Sequence, residues 1–204
     1  MCQYKNLAIY GGTFDPIHYG HLFVAEQVYD KYSVEKILFM PAGDPPHKID
    51  REITDARHRY RMVELAIEGN ENFLISDYEL IKGGKSYTAD TIRYFKEKKV
   101  AENLYFIIGA DSLLDIFDWR EPEFLLQNAC FIVASRPGYQ LKKTELAEKF
   151  RPYLKQILFL DTIEVGYSSS RIRELLKEGK SIKYQTPRGL AHLLAESRRV
   201  GPRE

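Results

Sequence analysis

His18 and His21 stand behind Gly11-Gly12 and on either side of Gly20, in the run Ile9-Tyr10-Gly11-Gly12-Thr13-Phe14-Asp15-Pro16-Ile17-His18-Tyr19-Gly20-His21-Leu22. An apolar stretch precedes the run and an amphipathic one follows it, so the histidines fall where a helix begins. A helix start presents unpaired N–H groups and the positive end of the macrodipole, which suits it to holding phosphate. Imidazoles there add ring N–H donors, and beside phosphate oxygens they tend to keep their proton and gain charge. Gly20 is expected to leave room for close approach of the anion.

Three plainer readings of the same residues stay open. The pair is half of a metal site, though no Cys or second His pair nearby supplies the remaining ligands. It is an ordinary helix turn that happens to hold histidines. Or the glycines are a dinucleotide loop, although Gly-x-Gly-x-x-Gly and the Walker pattern are both absent. The order strand, glycine turn, histidines, helix favours the anion site.

Further residues of the same chemical kind recur along the chain. His47 and Lys48 end the loop Ala42-Gly43-Asp44-Pro45-Pro46-His47-Lys48, whose glycine and prolines exclude regular structure. Thr88 lies in Ser86-Tyr87-Thr88-Ala89-Asp90-Thr91, a helix start rich in capping side chains. Asp111 follows Gly109-Ala110 as a helix cap or a ribose ligand, and Arg136 lies in the turn Ser135-Arg136-Pro137-Gly138. Ser168, Ser169 and Ser170 open another helix, with Arg173 one turn beyond Ser169 on the same face. Arg57, His58, Arg59 and Arg61 crowd a helix and read as a solvated face.

These residues need a scaffold, and the hydrophobic pattern supplies one. Short apolar runs at Leu7–Tyr10, Lys36–Pro41, Phe73–Ser76, Leu104–Ile108, Ala129–Ala134 and Ile157–Leu160 read as strands of a parallel sheet buried on both faces. The third run is expected to continue with period-two alternation through Tyr78 and Leu80. Between the strands, helices are expected over about 20–32 and from Thr54 to Gly69, with Tyr60, Met62, Leu65 and Ala66 as its apolar face. Others follow Ser86, cover a short polar stretch near Thr144 to Phe150, follow Ser168, and run from Pro187 to Ser197. The alternation predicts an α/β doubly wound parallel sheet, with the strand at Leu104–Ile108 beside the first strand and ligands held at the carboxyl edge. Trp119, flanked by Asp118, Arg120 and Glu121, is expected at the surface.

At 204 residues and 44% apolar, the chain suits one domain, residues 1–204, with a helical C-terminal portion from about 168. Thirty basic and 29 acidic residues leave a formal charge of +1, so attraction to phosphate must be local; neither a nucleic acid polymer nor a membrane is an expected partner. Cys2 and Cys130 are far apart and lack metal spacing. With no membrane span or signal-like apolar region, a cytoplasmic location is expected. Self-association is left open.

The segment Gly11-Gly12-Thr13-Phe14-Asp15-Pro16-x-His18-x-Gly20-His21 resembles the signature of the His/Thr-x-Gly-His nucleotidyltransferases, and in its full form that of the bacterial nicotinate-mononucleotide adenylyltransferases. Ser86–Thr91, the Gly-x-Asp…Trp pattern ending at Trp119, and Tyr167-Ser168-Ser169-Ser170-Arg171-Ile172-Arg173 extend the resemblance, with Tyr167 and Ser170 as departures from an aliphatic residue and a threonine. It implies a Rossmann-like nucleotidyltransferase fold and the substrates ATP and nicotinate mononucleotide. Gly11, Gly12, Thr13, Phe14, His18, His21, Gly109, Asp111, Ser169, Ser170 and Arg173 would bind ATP. Asp15, His47, Lys48, Thr88, Trp119 and Arg136 would bind the mononucleotide, with Trp119 stacked on the pyridine ring. His18, His21, Lys48 and Arg173 would carry catalysis. Mg²⁺ is expected to arrive with ATP, held largely by water and substrate oxygens, so no protein metal ligands are expected. A sister enzyme of the superfamily, such as a phosphopantetheine or cytidylyl transferase, and a non-catalytic nucleotide-binding module are the alternatives.

Overall fold

In the computed structural model, residues 2–45, 53–135, 149–161 and 166–196 are described. Six parallel strands form one sheet: β1 (Tyr4–Gly12), β2 (Lys36–Pro41), β3 (Phe73–Ile75), β4 (Ala101–Gly109), β5 (Cys130–Ser135) and β6 (Ile157–Asp161), in the order β3-β2-β1-β4-β5-β6. The chain winds outward from β1 to β3 and then returns, so β1 and β4 are adjacent and the expected reversal of strand order lies between them. Ligand crevices of open α/β sheets form at such a point.

The two faces of the sheet sort the core by strand alternation. Leu7, Ile9, Phe106 and Ile108 point to one side, where they meet α4 (Thr88–Glu97), α5 (Ala110–Leu114) and α6 (Pro122–Asn128) through Ile92, Leu113 and Leu125. Ala8, Phe39, Ile107 and Ile132 point to the other, against α1 (Tyr19–Tyr32), α2 (Ala56–Ile67) and α8 (Arg188–Glu196) through Val28, Val63 and Leu190. Each fully buried aliphatic side chain contributes about 1.5–3 kcal/mol. Ile92, with no exposed surface, therefore holds α4 so that its first residue, Thr88, stays at the carboxyl edge of the sheet.

Three expectations are corrected. The third strand does not run on to Leu80: it stops at Ile75, and Tyr78–Lys82 is a helix, α3. Ser76 Oγ accepts the Tyr78 N–H at 3.2 Å, which starts this turn, while Gly83 and Gly84 at φ +68° and +65° end it. Two alternating apolar residues were too short a sample to separate strand from helix. The buried face of α2 is Arg59, Met62, Val63, Ala66 and Ile67, with Tyr60 and Leu65 only partly buried, so the basic cluster is not one solvated face. Trp119 is half-buried and packs against the core cluster that holds Ile92, Leu113 and Leu125.

The polar helix expected near Thr144 to Phe150 lies mostly outside the described residues. Among those described, no helix is long and apolar enough to cross a membrane.

Candidate active site

β1 delivers Gly11 and Gly12 to the sheet edge, and the chain then turns through Thr13–Ile17 into α1. Each glycine makes way for an aromatic ring. A Cβ on Gly11 would lie 2.9 Å from Phe106 Cζ, and one on Gly12 would lie 3.0 Å from Phe14 Cζ. One on Gly20 would lie 3.0 Å from His18 Nδ1, so the missing side chain at Gly20 also makes room for the His18 ring. Phe14 is itself 3% exposed, and its ring packs edge-on against Tyr10 and at a tilt against Phe39.

His18 occupies the N-cap of α1 and is buried; its ring stacks on His21 at 3.8 Å between centroids and 24° between planes. The His18 main-chain N–H donates to His21 Nδ1 at 3.2 Å. With Nδ1 accepting, the His21 proton belongs on Nε2, and that nitrogen becomes the donor. Phe14 and Tyr10 close in on His21 edge-on at 5.2 and 6.1 Å, which fixes the plane of the ring. The His18 N–H and the two aromatic edges thus hold the His21 ring in one orientation.

The second helix start belongs to α7 (Ser169–Lys177), and the fully buried Ile172 anchors it. Ser168 caps this helix by accepting the Arg171 N–H at 3.1 Å. Ser169 and Arg173 reach back across the sequence to the turn before α1. Ser169 Oγ donates to the Pro16 carbonyl at 2.8 Å, and Arg173 Nη1 donates to the Asp15 carbonyl at 2.6 Å. Arg173 Nη2 donates to Ser170 Oγ at 3.0 Å, as the one-turn spacing requires. Tyr167 takes the place of an aliphatic residue without disturbing this joint: its ring lies 6.4 Å from that of His18. The imidazole-bearing and hydroxyl-bearing helix starts thus meet at one place, with the buried Asp15 between them.

Across the sheet edge, Gly11, Gly12 and Gly109 form the floor of a cleft of about 160 Å³ whose walls include Thr88, Trp119 and Glu79. Thr88 and Trp119, on different elements, share this cavity. Asp111 does not cap α5, whose N-cap is Gly109; it lies exposed in the first turn. His47, Lys48 and Arg136 lie outside the described residues. Among those described, no group of three or more His, Cys, Asp or Glu could hold a metal ion.

Two buried polar residues at this edge differ from what the sequence suggests: Arg59 reads there as one cation of a solvated face, and Glu79 is not singled out. Arg59, 1% exposed, donates to four main-chain carbonyls: Thr54 and Thr13 at 2.8 Å, Ala42 at 2.6 Å and Gly43 at 3.1 Å. Burial pulls its pKa down, against the opposing pull of Asp15, Asp55 and Glu79, yet guanidinium stays protonated. Glu79, 7% exposed, accepts the Thr91 hydroxyl at 2.8 Å. Burial pushes its carboxyl above the usual range, and hydrogen bonds from Thr91 and Ser86 act in the other direction. The helical wheel of α2 carries the signal for Arg59, which sits in line with Met62, Val63 and Ala66. No comparable signal marks Glu79.

The family model for cytidylyltransferase-like proteins matches residues 9–175. A Clostridium tetani protein described as "probable nicotinate-nucleotide adenylyltransferase" is 45% identical over 188 residues, covering 90% of this chain and 92% of the relative. A Desulfitobacterium hafniense protein of the same description is 40% identical over 195 residues, covering 95% and 94%. Among solved structures, a Plasmodium falciparum nicotinic acid mononucleotide adenylyltransferase complexed with APC superposes with a TM-score of 0.74 at 22% identity over 96% of both chains, a likeness of fold. The motifs, the sheet and these relatives agree, and the chain belongs to the nicotinate-nucleotide adenylyltransferase family.

Proposed function

We propose that the chain transfers the adenylyl group of ATP to nicotinate mononucleotide, giving nicotinate adenine dinucleotide (deamido-NAD) and pyrophosphate in NAD biosynthesis. The observation that carries this reading is the joint between the two helix starts, where Arg173 and Ser169 bond to the Asp15–Pro16 backbone that leads into His18 and His21. One polyanion spanning that joint meets imidazole and main-chain donors at one end and hydroxyl and guanidinium donors at the other.

In the reaction, a phosphate oxygen of the mononucleotide attacks the α-phosphorus of ATP in line. The new P–O bond forms as the bond to the β-phosphate bridging oxygen breaks, and the electron pair leaves with pyrophosphate. A phosphate monoester has its second pKa near ~6, so the nucleophile is already ionised at neutral pH and needs no general base. Catalysis then rests on positioning and on donors aimed at developing charge. His21, with its tautomer set by the His18 N–H, donates from Nε2 to the α-phosphate, and His18 supports the same oxygens. Arg173, Ser169 and Ser170 hold the β- and γ-phosphates. Gly11, Gly12, Thr13, Phe14, Gly109 and Asp111 border the nucleotide. Lys48 joins His18, His21 and Arg173 as a catalytic group by drawing the two anions together.

Thr88 and Trp119 receive the pyridine end of the acceptor, and Asp15, His47, Lys48 and Arg136 complete the residues proposed to bind the mononucleotide. The donor set is one for anions and not for magnesium. Mg²⁺ would arrive with the ATP substrate and would neutralise charge on the triphosphate. Residues 1–204 act as one domain in the cytoplasm, and the portion from about 168 closes the ATP side.

The test is pyrophosphate release from ATP and magnesium with a panel of acceptors. Release with nicotinate mononucleotide and none with phosphopantetheine or without acceptor supports the reading. Release only with another acceptor moves the chain to a sister activity, and ATP binding without release makes it a binding module.

A further inference from the structure

Beyond β2 the chain passes through Ala42, Gly43 and Asp44, which lie between the glycine turn of β1 and the helix start at Thr88. This short segment is gripped from both sides. Arg59 donates to the carbonyls of Ala42 and Gly43 while also holding the Thr13 carbonyl. From the other side, Ser86 Oγ accepts the N–H of Gly43 at 2.9 Å and of Asp44 at 3.3 Å, and the Ser86 N–H donates to the Asp44 carbonyl at 2.9 Å. With its oxygen engaged by two amides, the Ser86 hydroxyl has one proton to give, and it goes to the Glu79 carboxyl, which Thr91 also contacts.

The backbone confirms how tight this arrangement is. A Cβ on Gly43 would lie 2.5 Å from the Glu79 carbonyl oxygen, so only glycine permits the approach. Ala42, Glu79, Ser86 and Thr88 all line the cleft that Trp119 borders. A buried carboxyl has high desolvation cost, and one held by two hydroxyls fixes both.

We infer that Glu79 and Ser86 are positioning residues: through the Gly43 and Asp44 amides they lock the segment after β2 onto the Thr88 turn and so set the width of the cleft that takes the acceptor's pyridine ring. The inference rests on the adenylyl-transfer reading. Neither side chain reacts. Their bonds hold Ala42 and Thr88 at a fixed separation, so their loss acts chiefly on acceptor binding; Arg173 and His21, which organise the triphosphate end, do not line this cleft.

The test compares Ser86→Ala and Glu79→Gln with the wild type, reading KM for nicotinate mononucleotide and for ATP separately, together with the thermal unfolding midpoint. Ser86→Ala is expected to raise the acceptor KM about tenfold and to move the ATP KM by less than about twofold. Glu79→Gln keeps an acceptor oxygen and is expected to give a smaller shift in the same direction; it also serves as the variant to measure should Ser86→Ala not fold. A fall in the unfolding midpoint with both KM values unchanged would make the network structural only and overturn the inference, as would an equal rise in both KM values. Failure of the wild type to release pyrophosphate with this acceptor would instead remove the adenylyl-transfer reading.

Discussion

Arg173 donates from Nη1 to the main-chain oxygen of Asp15 at 2.6 Å, joining two residues 158 positions apart in sequence. The bond uses one arm of a planar fork whose other arm reaches Ser170 Oγ. Lysine offers a point charge on a flexible stem and cannot hold both partners in that geometry. Arg173→Lys is therefore expected to lower kcat/KM for ATP by about 10- to 100-fold, the worth of roughly 1.5–3 kcal/mol for hydrogen bonds to a charged group. Steady-state kinetics at saturating mononucleotide check this, and the acceptor KM should move little.

Ser169 makes the companion bond to Pro16, and its removal separates a structural contribution from a catalytic one. Ser169→Ala should cost about 1 kcal/mol of stability, read as a lower urea midpoint with an unchanged slope. Under the proposed reading it should also weaken ATP binding, because the bond to Pro16 holds this helix start against the turn that leads into His18 and His21.

Trp119 packs on the core and borders the cleft proposed for the acceptor. Aromatic stacking adds about 0.5–1.5 kcal/mol beyond area burial. Trp119→Phe should therefore raise the mononucleotide KM a few-fold and Trp119→Ala about tenfold, with the ATP KM unaffected in both. Titration of each variant with the mononucleotide, followed by kinetics, measures the difference.

Burial raises the Glu79 pKa above its ordinary 4.5, with Thr91, Ser86 and Lys82 acting against it and Asp90 reinforcing it. Between 4.5 and the raised value the native state binds this proton more tightly than the unfolded chain does, so stability is lost as pH rises through that window. Glu79→Gln cannot titrate there. The stability of the wild type relative to Glu79→Gln should fall as pH rises above 4.5 and level off once the native carboxyl has ionised. Urea melts of both proteins at closely spaced pH values test it; a difference constant across the range would contradict the burial account.

The sheet was legible because Leu7, Ala8 and Ile9, and likewise Phe106, Ile107 and Ile108, are apolar on both faces, the mark of a parallel strand under two layers. His18, His21, Ser169 and Arg173 were legible because each lies at a helix start whose local pattern is complete within a dozen residues. What stayed hidden depends on partners distant in sequence. Arg59 looks like one cation among several until Thr13, Ala42 and Gly43 come to meet it, and Glu79 looks like a solvent-facing residue until Thr91 does. Gly20 shows the same limit, since only the folded position of His18 reveals what its missing Cβ accommodates.

The central claim is that His21, oriented by the His18 N–H, donates to the α-phosphate as charge builds on it. The direct measurement is the turnover of His21→Ala for pyrophosphate release at saturating ATP, magnesium and nicotinate mononucleotide. Loss of one aligned donor should cost roughly 3 kcal/mol of transition-state stabilisation, a fall of at least about 100-fold in kcat with the folded structure intact. Turnover equal to that of the wild type would contradict the account.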